Sequence, residues 1–221
     1  MLVYMLTFSS VAYIGVFISL LILLINLGFI RYVLIFTPII IGSYYYLYNN
    51  VKEFRDRVDG LDDLYGGEAT SAFQVHGSSF VQFNNYHIAT ENFKRNPLFG
   101  TGLGSHEIAY NRYSLARYYG GVYEFNKSDA NSMFLRLMSE TGLYGLIFII
   151  LFIVRFFVLK KNDQTDQELW LISNAALVAI ILQLFRQGNY TYNGFMFYMW
   201  MYYFVKLRII NKANQQNTAK P

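Results

Sequence analysis

Cysteine is absent from this chain of 221 residues, and charged residues are scarce, at 14% of the total. Without cysteine, neither disulfide bonds nor thiolate metal sites can hold the fold together. Ordinary soluble domains carry about 25% charged residues. The low charge and the 54% share of hydrophobic residues therefore indicate a membrane protein. The mean hydropathy of only +0.25 reflects a polar middle between two strongly apolar ends.

Histidine is also rare, and His76, His87 and His106 are not spaced as ligands on one helical face. We therefore expect no metal site. The first apolar run, from Leu2 to Ile30, lacks the basic start and the small-residue cleavage site of a signal peptide. It is expected to remain in the protein as a helix.

Apolar stretches are the main feature that is present, and a helix needs roughly 17 to 25 such residues to cross a bilayer. Five candidates run over residues 3–25, 32–48, 143–159, 169–185 and 193–205, the last being short and rich in tyrosine. The expected fold is an all-α polytopic membrane protein with about five transmembrane helices and a long extracytoplasmic segment that contains amphipathic helices. The parts are a helical hairpin at 1–48, the long segment at 49–142, three transmembrane helices at 143–207 and a polar cytoplasmic tail at 208–221.

Orientation follows from lysine and arginine in short loops, which mark the cytoplasmic side. These residues fall in alternate connections: Arg31, then Arg155, Lys160 and Lys161, then Lys206, Arg208 and Lys212. The long segment and the 187–192 turn are then extracytoplasmic, and Met1 lies outside the cytoplasm. We take this to indicate the C-terminal part of a longer polytopic protein, or a product that lacks its first half.

The long segment, 49–142, contains several predicted elements. Its charged start, 51–67, predicts a flexible surface stretch. Mixed apolar and polar residues over 80–95 predict a helix at the membrane interface, ended by Asn96-Pro97. Gly100, Gly102 and Gly104 then alternate with other residues, which allows left-handed backbone or close approach of a ligand. A second amphipathic helix is predicted from Asp129, with Gly142 separating it from the next span.

Two stretches resemble a known family. They are 96–106 (NPLFGTGLGSH) and 129–145 (DANSMFLRLMSETGLYG), and they resemble the large periplasmic loop and following helix of the O-antigen ligase/polymerase superfamily. Members carry an NPLFGxGxG-like turn and an HN or DxN motif before an ETGL helix. Residues 7–15 also look like the start of a family helix, with Ser10 where an arginine is often found. The resemblance covers most of this chain but only the second half of a typical member.

The resemblance implies a multi-pass enzyme of the bacterial cytoplasmic (inner) membrane that joins undecaprenyl diphosphate-linked oligosaccharides on the extracytoplasmic face. The ligase branch relies on a histidine directly before the motif's asparagine, and Ala130 stands there in this chain. This departure favours a polysaccharide polymerase for O-antigen, capsule or exopolysaccharide. The implied partners are the lipid-linked sugars, membrane lipids, a chain-length regulator and a flippase. No cofactor and no nucleic-acid partner is expected.

Glycosyl transfer from a diphosphate needs a base near the acceptor hydroxyl and cations near the leaving group. Asp129 is the candidate base, because it precedes Asn131 in the motif that carries chemistry in relatives; alternatively it only caps a helix. His106 and Glu107 follow the glycines and can position an acceptor or share a proton, unless they are solvated loop residues. Asn131 can hydrogen-bond sugar hydroxyls, or alternatively serve only at the start of the helix.

Arg186 is the candidate catalytic cation, since ionisable groups at the end of an apolar span are rare and often functional; alternatively it snorkels to the headgroups. Its context, RQGNY, resembles a late-helix Arg-x-Gly-x-Tyr pattern in polymerases. Arg112 and Arg117 are candidates for binding a diphosphate, and their tyrosine-rich surroundings fit sugar stacking as well as simple anchoring at the membrane interface. Arg136 and Glu140 lie four residues apart and share a helical face, so they are substrate-binding candidates unless they form only a surface ion pair.

Other functions stay open at this point. A transporter or flippase for lipid-linked glycans would place polar groups on broken helices near the middle of the bilayer. The apolar stretches here are nearly free of polar residues, which favours extracytoplasmic chemistry. An O-antigen ligase-type transferase and an inactive C-terminal fragment are the remaining alternatives, because likeness at the level of the fold does not decide activity.

Overall fold

The computed structural model describes residues 10–26, 30–66, 77–117, 124–159, 166–191 and 194–218. Every regular element in these ranges is helical, as predicted. The helices are α1 (Ser10–Asn26), α2 (Ile30–Asn50), α3 (Lys52–Gly66), α4 (Gly77–Arg95), α5 (His106–Tyr113), α6 (Met133–Phe156), α7 (Gln167–Arg186) and α8 (Phe195–Thr218), with a 3-10 turn at Leu115–Arg117. The chain divides into two compact units: a first unit of residues 1–32 and 148–221, and a second unit of residues 33–147.

Two of the described helices, α6 and α7, are long and apolar enough to cross a membrane. A shorter apolar helix covers Gly15–Asn26. The other predicted spans overlap α1, α2 and α8, although residues 3–9 and 193 lie outside the described part of the chain. Helix α8 continues to Thr218, beyond the predicted end at 205 and through most of the predicted polar tail. The count of five spans and the location of the long segment therefore stay predictions.

Helices of the first unit are joined by polar contacts between otherwise apolar surfaces. The indole Nε1 of Trp170 on α7 donates to Oδ1 of Asn26 on α1 at 3.0 Å, and Asn26 is buried. The hydroxyl of Tyr202 on α8 donates to the carbonyl of Ile153 at 3.0 Å. A hydrogen bond is stronger in a poorly solvated setting than in water, so these contacts fix how the helices are rotated against each other.

Helix α3 corrects the expectation of a flexible stretch at 51–67. Phe54, Val58, Leu61 and Leu64 recur every three or four residues, which places them on one helical face. Leu64 is only 2% exposed and belongs to a core cluster with Phe80. The high charge of the stretch concealed this periodicity, and the apolar face drives the helix onto the rest of the second unit.

Helix α4 confirms a predicted helix, and it buries polar as well as apolar side chains; its location at the membrane interface stays a prediction. It ends at Arg95, directly before Asn96-Pro97. Phe80 and Ile88 are buried, and so are three amide side chains: Asn84, Asn85 and Asn92. It therefore contributes polar as well as apolar side chains to the interior of the second unit.

Reporter fusions test the predicted orientation of the chain. Alkaline phosphatase fused after Gly67 or Gly121 should be active, and the same enzyme fused after Lys161 or Asn211 should be inactive. The reason is the alternation of basic short loops, which are retained on the cytoplasmic side. β-Galactosidase fusions at the same four positions are the control and should give the opposite pattern. Cytoplasmic signal from both fusions in the long segment would refute extracytoplasmic chemistry.

Candidate functional site

Helix α6 contains a break at Gly142, within the second unit. Gly142 has φ 61° and ψ −152°, a combination that is essentially restricted to glycine. In a continuous helix, the N–H groups of residues 143 and 144 would donate to the carbonyls four residues earlier. Here Leu143 N–H donates to the carbonyl of Pro97 at 2.8 Å, and Tyr144 N–H donates to that of Leu98 at 3.0 Å. The break therefore turns the helix backbone toward residues 96–104, which we call the glycine turn.

The glycine turn also donates hydrogen bonds to α6, in the opposite direction. Thr101 N–H donates to the carbonyl of Ser139 at 3.3 Å, and Gly102 N–H donates to that of Glu140 at 2.8 Å. Buried backbone groups are costly when unpaired, and this exchange satisfies two donors and two acceptors that the break would otherwise leave free. The two family-like stretches are thus one structural piece.

Glycine is required where the two backbones meet. A Cβ on Gly100 would lie 2.4 Å from the carbonyl carbon of Glu140, and one on Gly142 would lie 2.7 Å from the oxygen of Pro97. Gly102 and Gly104 have φ of 101° and 82°, which side chains rarely adopt, as the sequence predicted, but they face open space. Gly100 and Gly142 thus serve close packing, while Gly102 and Gly104 serve only the path of the turn.

Asn92 on α4 ties the same region together. Its Nδ2 lies 2.9 Å from Thr101 Oγ1 in the glycine turn, and 3.0 Å and 2.8 Å from the carbonyl and Oγ of Ser139 on α6. Asn92 and Ser139 are both buried. No sequence pattern predicted this role, because an asparagine in a mixed helix is ordinarily a solvated residue.

A buried ion pair lies next to the break. Arg136 Nε is 3.0 Å from Glu140 Oε1, and the backbone N–H of His106 donates to the same oxygen at 3.2 Å. Spacing along the helix predicted the pair, but the alternative of a surface pair is wrong, because Glu140 is fully buried. Since a buried carboxylate is stable only with such partners, Glu140 fixes the start of α5 against α6.

His106 is buried as well, with no exposed surface. Its Nε2 lies 3.3 Å from Oδ1 of Asn85, which makes Nε2 the protonated nitrogen. Burial lowers the pKa of the imidazole to about 4, so the ring is neutral at physiological pH. Nδ1 has no hydrogen-bond partner among the residues that the structure describes. This burial favours a positioning role, and the action of His106 in catalysis stays a prediction.

Asp129 stands in a turn before α6 and not at the start of the helix. Ala130 and Asn131 have φ of 55° and 54°, a left-handed conformation that a right-handed helix cannot contain. The helix therefore begins at Met133, where Ser132 Oγ accepts from the N–H of Leu135 at 3.3 Å. The expected helix start at Asp129 and its capping role are corrected accordingly.

The carboxylate of Asp129 is oriented by its own turn. Its Oδ1 accepts from Asn126 Nδ2 at 2.9 Å and from the backbone N–H of Asn131 at 3.1 Å. The described residues provide no hydrogen bond to Oδ2. The side chain is partly exposed, so one carboxylate oxygen is held and the other is accessible.

A cleft of about 330 Å³ runs beside Asp129, and we call it the acidic cleft. Its walls are formed by Glu107, Glu124, Asn126, Lys127, Ser128 and Asp129. Lys127 Nζ lies 3.0 Å from Glu107 and 3.2 Å from Glu124. Three carboxylates against one ammonium repel a diphosphate and suit the hydroxyl groups of a sugar. Lys127 and Glu124 were not predicted, because nothing in their local sequence sets them apart from solvated charges.

A second, smaller cavity of about 100 Å³ lies between α4, α5 and the glycine turn, and we call it the arginine pocket. It is lined by Asn92, Thr101, Ser105, Ile108, Ala109, Arg112 and Tyr113. The guanidinium groups of Arg95 and Arg112 lie over the Tyr113 ring, 5.2 Å and 5.9 Å from its centroid. Arg112 was a predicted site residue. Arg95 was missed, because a basic residue in the last turn is an ordinary feature of helices.

One family model covers both stretches that the break joins: the O-antigen ligase family matches residues 1–150. The chain belongs to this family. Its members are membrane-associated, glycosyltransferase-like ligases and polymerases, so the resemblance drawn from the sequence is confirmed at that level. No curated protein and no solved structure matches the chain significantly.

The family match includes most of the predicted site. The glycine turn, His106, Glu107, Asp129, Asn131, Arg136 and Glu140 all lie inside the matched range and within the second unit. Arg117 ends the 3-10 turn, and its side chain is outside the described part. Arg186 ends α7 in the first unit, beyond the matched range. Its role therefore rests on the Arg-x-Gly-x-Tyr resemblance and stays a prediction.

Proposed function

We propose that the chain is a polysaccharide polymerase that joins undecaprenyl diphosphate-linked repeat units on the extracytoplasmic face of the bacterial inner membrane. The observation that carries this proposal is Asp129 at the wall of the acidic cleft. Its carboxylate is oriented through Oδ1 by Asn126 and Asn131, and Oδ2 is left to accept a proton. A base within hydrogen-bond reach of the acceptor is the first requirement of glycosyl transfer.

The reaction proceeds as a single displacement. The acceptor hydroxyl gives its proton to Asp129 while its oxygen forms a bond to the anomeric carbon of the donor sugar. The bond between that carbon and the diphosphate oxygen breaks, and the electron pair leaves with the diphosphate. The products are a lengthened lipid-linked glycan and a polyprenyl diphosphate. Because the leaving group gains charge, a cation near it stabilises the transition state.

Ala130 supports polymerase over ligase chemistry. It occupies the position of the ligase branch's histidine, and it is fully buried with φ 55°. An imidazole there would need space that neighbouring atoms fill, and Asp129 is the group next to it that has access to the acidic cleft. Ligase chemistry is the second candidate function, because the matching family carries that description.

Reconstitution tests this proposal. The full-length protein in proteoliposomes, supplied with purified lipid-linked repeat units, should give a ladder of glycans spaced by one repeat. A ligase would instead need a separate acceptor lipid and give one product without a ladder, and a transporter would move the repeats without joining them. Either result from folded protein would contradict the polymerase assignment.

Arg186 is proposed as a cation for the donor diphosphate at the outer end of α7. Arg186→Ala should slow polymer formation by roughly 100-fold, equivalent to about 3 kcal/mol of lost transition-state stabilisation. Arg186→Lys should recover part of the rate, because it keeps the charge but loses the planar fork. The measurement is the initial rate in the same proteoliposomes.

Arg155→Ala is the matched control for Arg186, since Arg155 lies in the last turn of the other long apolar helix, α6. It should leave the rate unchanged. If Arg186→Ala also polymerised at the wild-type rate, Arg186 would be only a headgroup anchor.

A further inference from the structure

We propose that Asn85 and Tyr110 act as positioning residues, which hold the turn before α6 in place through the backbone of Phe125. This inference rests on the proposed function, in which that turn carries the base, Asp129. The hydroxyl of Tyr110 on α5 accepts from the N–H of Phe125 at 3.1 Å, and Nδ2 of Asn85 on α4 donates to the carbonyl of Phe125 at 3.1 Å. Two helices therefore hold both backbone polar groups of one residue, and we call this arrangement the Phe125 clamp.

The side chain of Phe125 is held as well. Its ring packs against the buried cluster of Leu64, Phe80 and Ala116. It lies edge-on to the ring of Phe80, with the two centroids 6.0 Å apart. Because both the backbone and the ring are held, Phe125 is a fixed point from which the following residues extend.

Asn126 connects this fixed point to Asp129. It follows Phe125 directly, and its carbonyl accepts from the N–H groups of Asp129 at 3.2 Å and Ala130 at 2.9 Å. Its Nδ2 also donates to Oδ1 of Asp129 at 2.9 Å. A shift of Phe125 would therefore move the carboxylate that faces the acidic cleft. Misplacement of a catalytic group by about 1 Å can slow a reaction about 100-fold.

The amide of Asn85 is itself oriented by its partners. Nδ2 faces two carbonyls, those of Val81 at 2.9 Å and of Phe125, and carbonyls only accept hydrogen bonds. Oδ1 therefore faces Nε2 of His106, which donates to it at 3.3 Å. Asn85 and His106 are both fully buried, so water does not readily replace a lost partner. In this arrangement His106 acts by orienting Asn85.

Substitutions in the clamp test the inference in the full-length protein, with the initial rate of polymer formation in proteoliposomes as the measurement. Tyr110→Phe removes only the hydroxyl that accepts from Phe125, and it should slow the reaction about 2- to 10-fold, as expected for one hydrogen bond. Asn85→Leu has a similar volume but no donor, and it should slow the reaction about 100-fold. Wild-type rates in both folded variants would refute the clamp.

Asn84→Leu is the matched control for Asn85→Leu. Asn84 is equally buried on α4, but its amide pairs with Oγ of Ser114 at 3.2 Å and with the N–H of Leu115 at 2.8 Å. It should lower the unfolding temperature as Asn85→Leu does, because each change leaves buried partners unpaired. The rate per folded molecule should stay close to that of the wild type. An equal loss of rate in both variants would overturn the inference, since Asn85 would then act only through stability.

Two variants of His106 test the orientation of Asn85. His106→Leu removes the donor to Oδ1 and should slow polymer formation. His106→Gln should recover part of the rate, because its amide N–H can donate from nearly the position of Nε2 while it cannot serve as a base. If the glutamine variant were as slow as the leucine variant, the imidazole itself would be required, and the role of His106 in the clamp would be refuted.

A double-variant cycle and hydrogen exchange separate failure of this inference from failure of the proposed function. Added to Asp129→Asn, Tyr110→Phe should slow the reaction no further, because the clamp acts through that carboxylate, whereas independent effects on a rate multiply. Multiplied effects would overturn the inference.

Hydrogen exchange reports on the clamp without any reaction. Tyr110→Phe should speed the exchange of backbone amides over residues 125–131, because their segment opens more often once a hydrogen bond is lost. Faster exchange beside an Asp129→Asn variant that polymerises normally would refute Asp129 as the base and leave the clamp as the anchor of the turn. Unchanged exchange beside a slow Asp129→Asn variant would refute the clamp and leave the role of Asp129 intact.

Discussion

An Asp129→Asn variant of the full-length protein should form polymer about 100 to 10,000 times more slowly than the wild type, the contribution of a positioned base. The amide has nearly the same shape, and its oxygen can still accept from Asn126 and Asn131, as Oδ1 does in the wild type. The turn before α6 should therefore persist, while the ability to take a proton is lost. The initial rate of ladder formation in proteoliposomes measures the effect.

Asp166→Asn is the matched control for that substitution. Asp166 Oδ1 also accepts backbone N–H groups, those of Glu168 and Leu169, but it does so at the start of α7. The control should retain the wild-type rate. If Asp129→Asn retained it as well, the base would have to be sought elsewhere, and Glu107→Gln and His106→Gln would be the next variants, because both residues are candidates for sharing a proton and Glu107 lines the acidic cleft.

The helices of this protein could be predicted wherever an apolar pattern was continuous or a proline marked an end. Helix α4 was found from its mixed pattern, and its end at Arg95 from Asn96-Pro97. Helix α3 was missed because the prediction relied on the high charge of the stretch. Its apolar residues nevertheless recur every three or four positions, as in an amphipathic helix. The start of α6 was misplaced because Ala130 takes a left-handed conformation, which alanine does not signal in a sequence.

The contacts of the candidate site could be predicted from the sequence only in part, because many of them join distant parts of the chain. Spacing on a helix brings Arg136 and Glu140 together, so their pairing was predictable, but their burial depends on what packs over α6. The exchange of hydrogen bonds between the glycine turn and the break joins backbone groups about forty residues apart. Such bonds leave no periodic pattern and no residue preference except glycine. The arginine pocket likewise depends on contact between the ends of α4 and α5. Neither Arg95 nor Arg112 predicts that contact from its own local sequence.

Gly142→Ala should destabilise the second unit by about 3 kcal/mol or more. Positive φ in this region costs about 1–3 kcal/mol for a residue with a side chain, and overpacking adds roughly 1–3 kcal/mol. The added Cβ would meet the Pro97 oxygen and the Gly100 nitrogen at 2.7 Å. These are backbone atoms that hold the glycine turn, so they cannot move aside as a flexible side chain would. The hydrogen bonds from Leu143 and Tyr144 to the turn should be lost together.

Three glycine variants separate the causes of that loss, with thermal unfolding in detergent and polymer formation as the measurements. Gly42→Ala in α2 meets nothing within 4 Å at ordinary φ and should be neutral or stabilising by about 0.5–1 kcal/mol. Gly104→Val has positive φ but open space, so it should abolish polymer through strain in the turn while the protein stays in the membrane. Gly100→Ala should resemble Gly142→Ala, because each Cβ strikes the opposite backbone. If Gly142→Ala instead unfolded like Gly42→Ala, the backbone of α6 would not be held by the glycine turn, and the hydrogen bond from Gly102 to the carbonyl of Glu140 would not depend on the break.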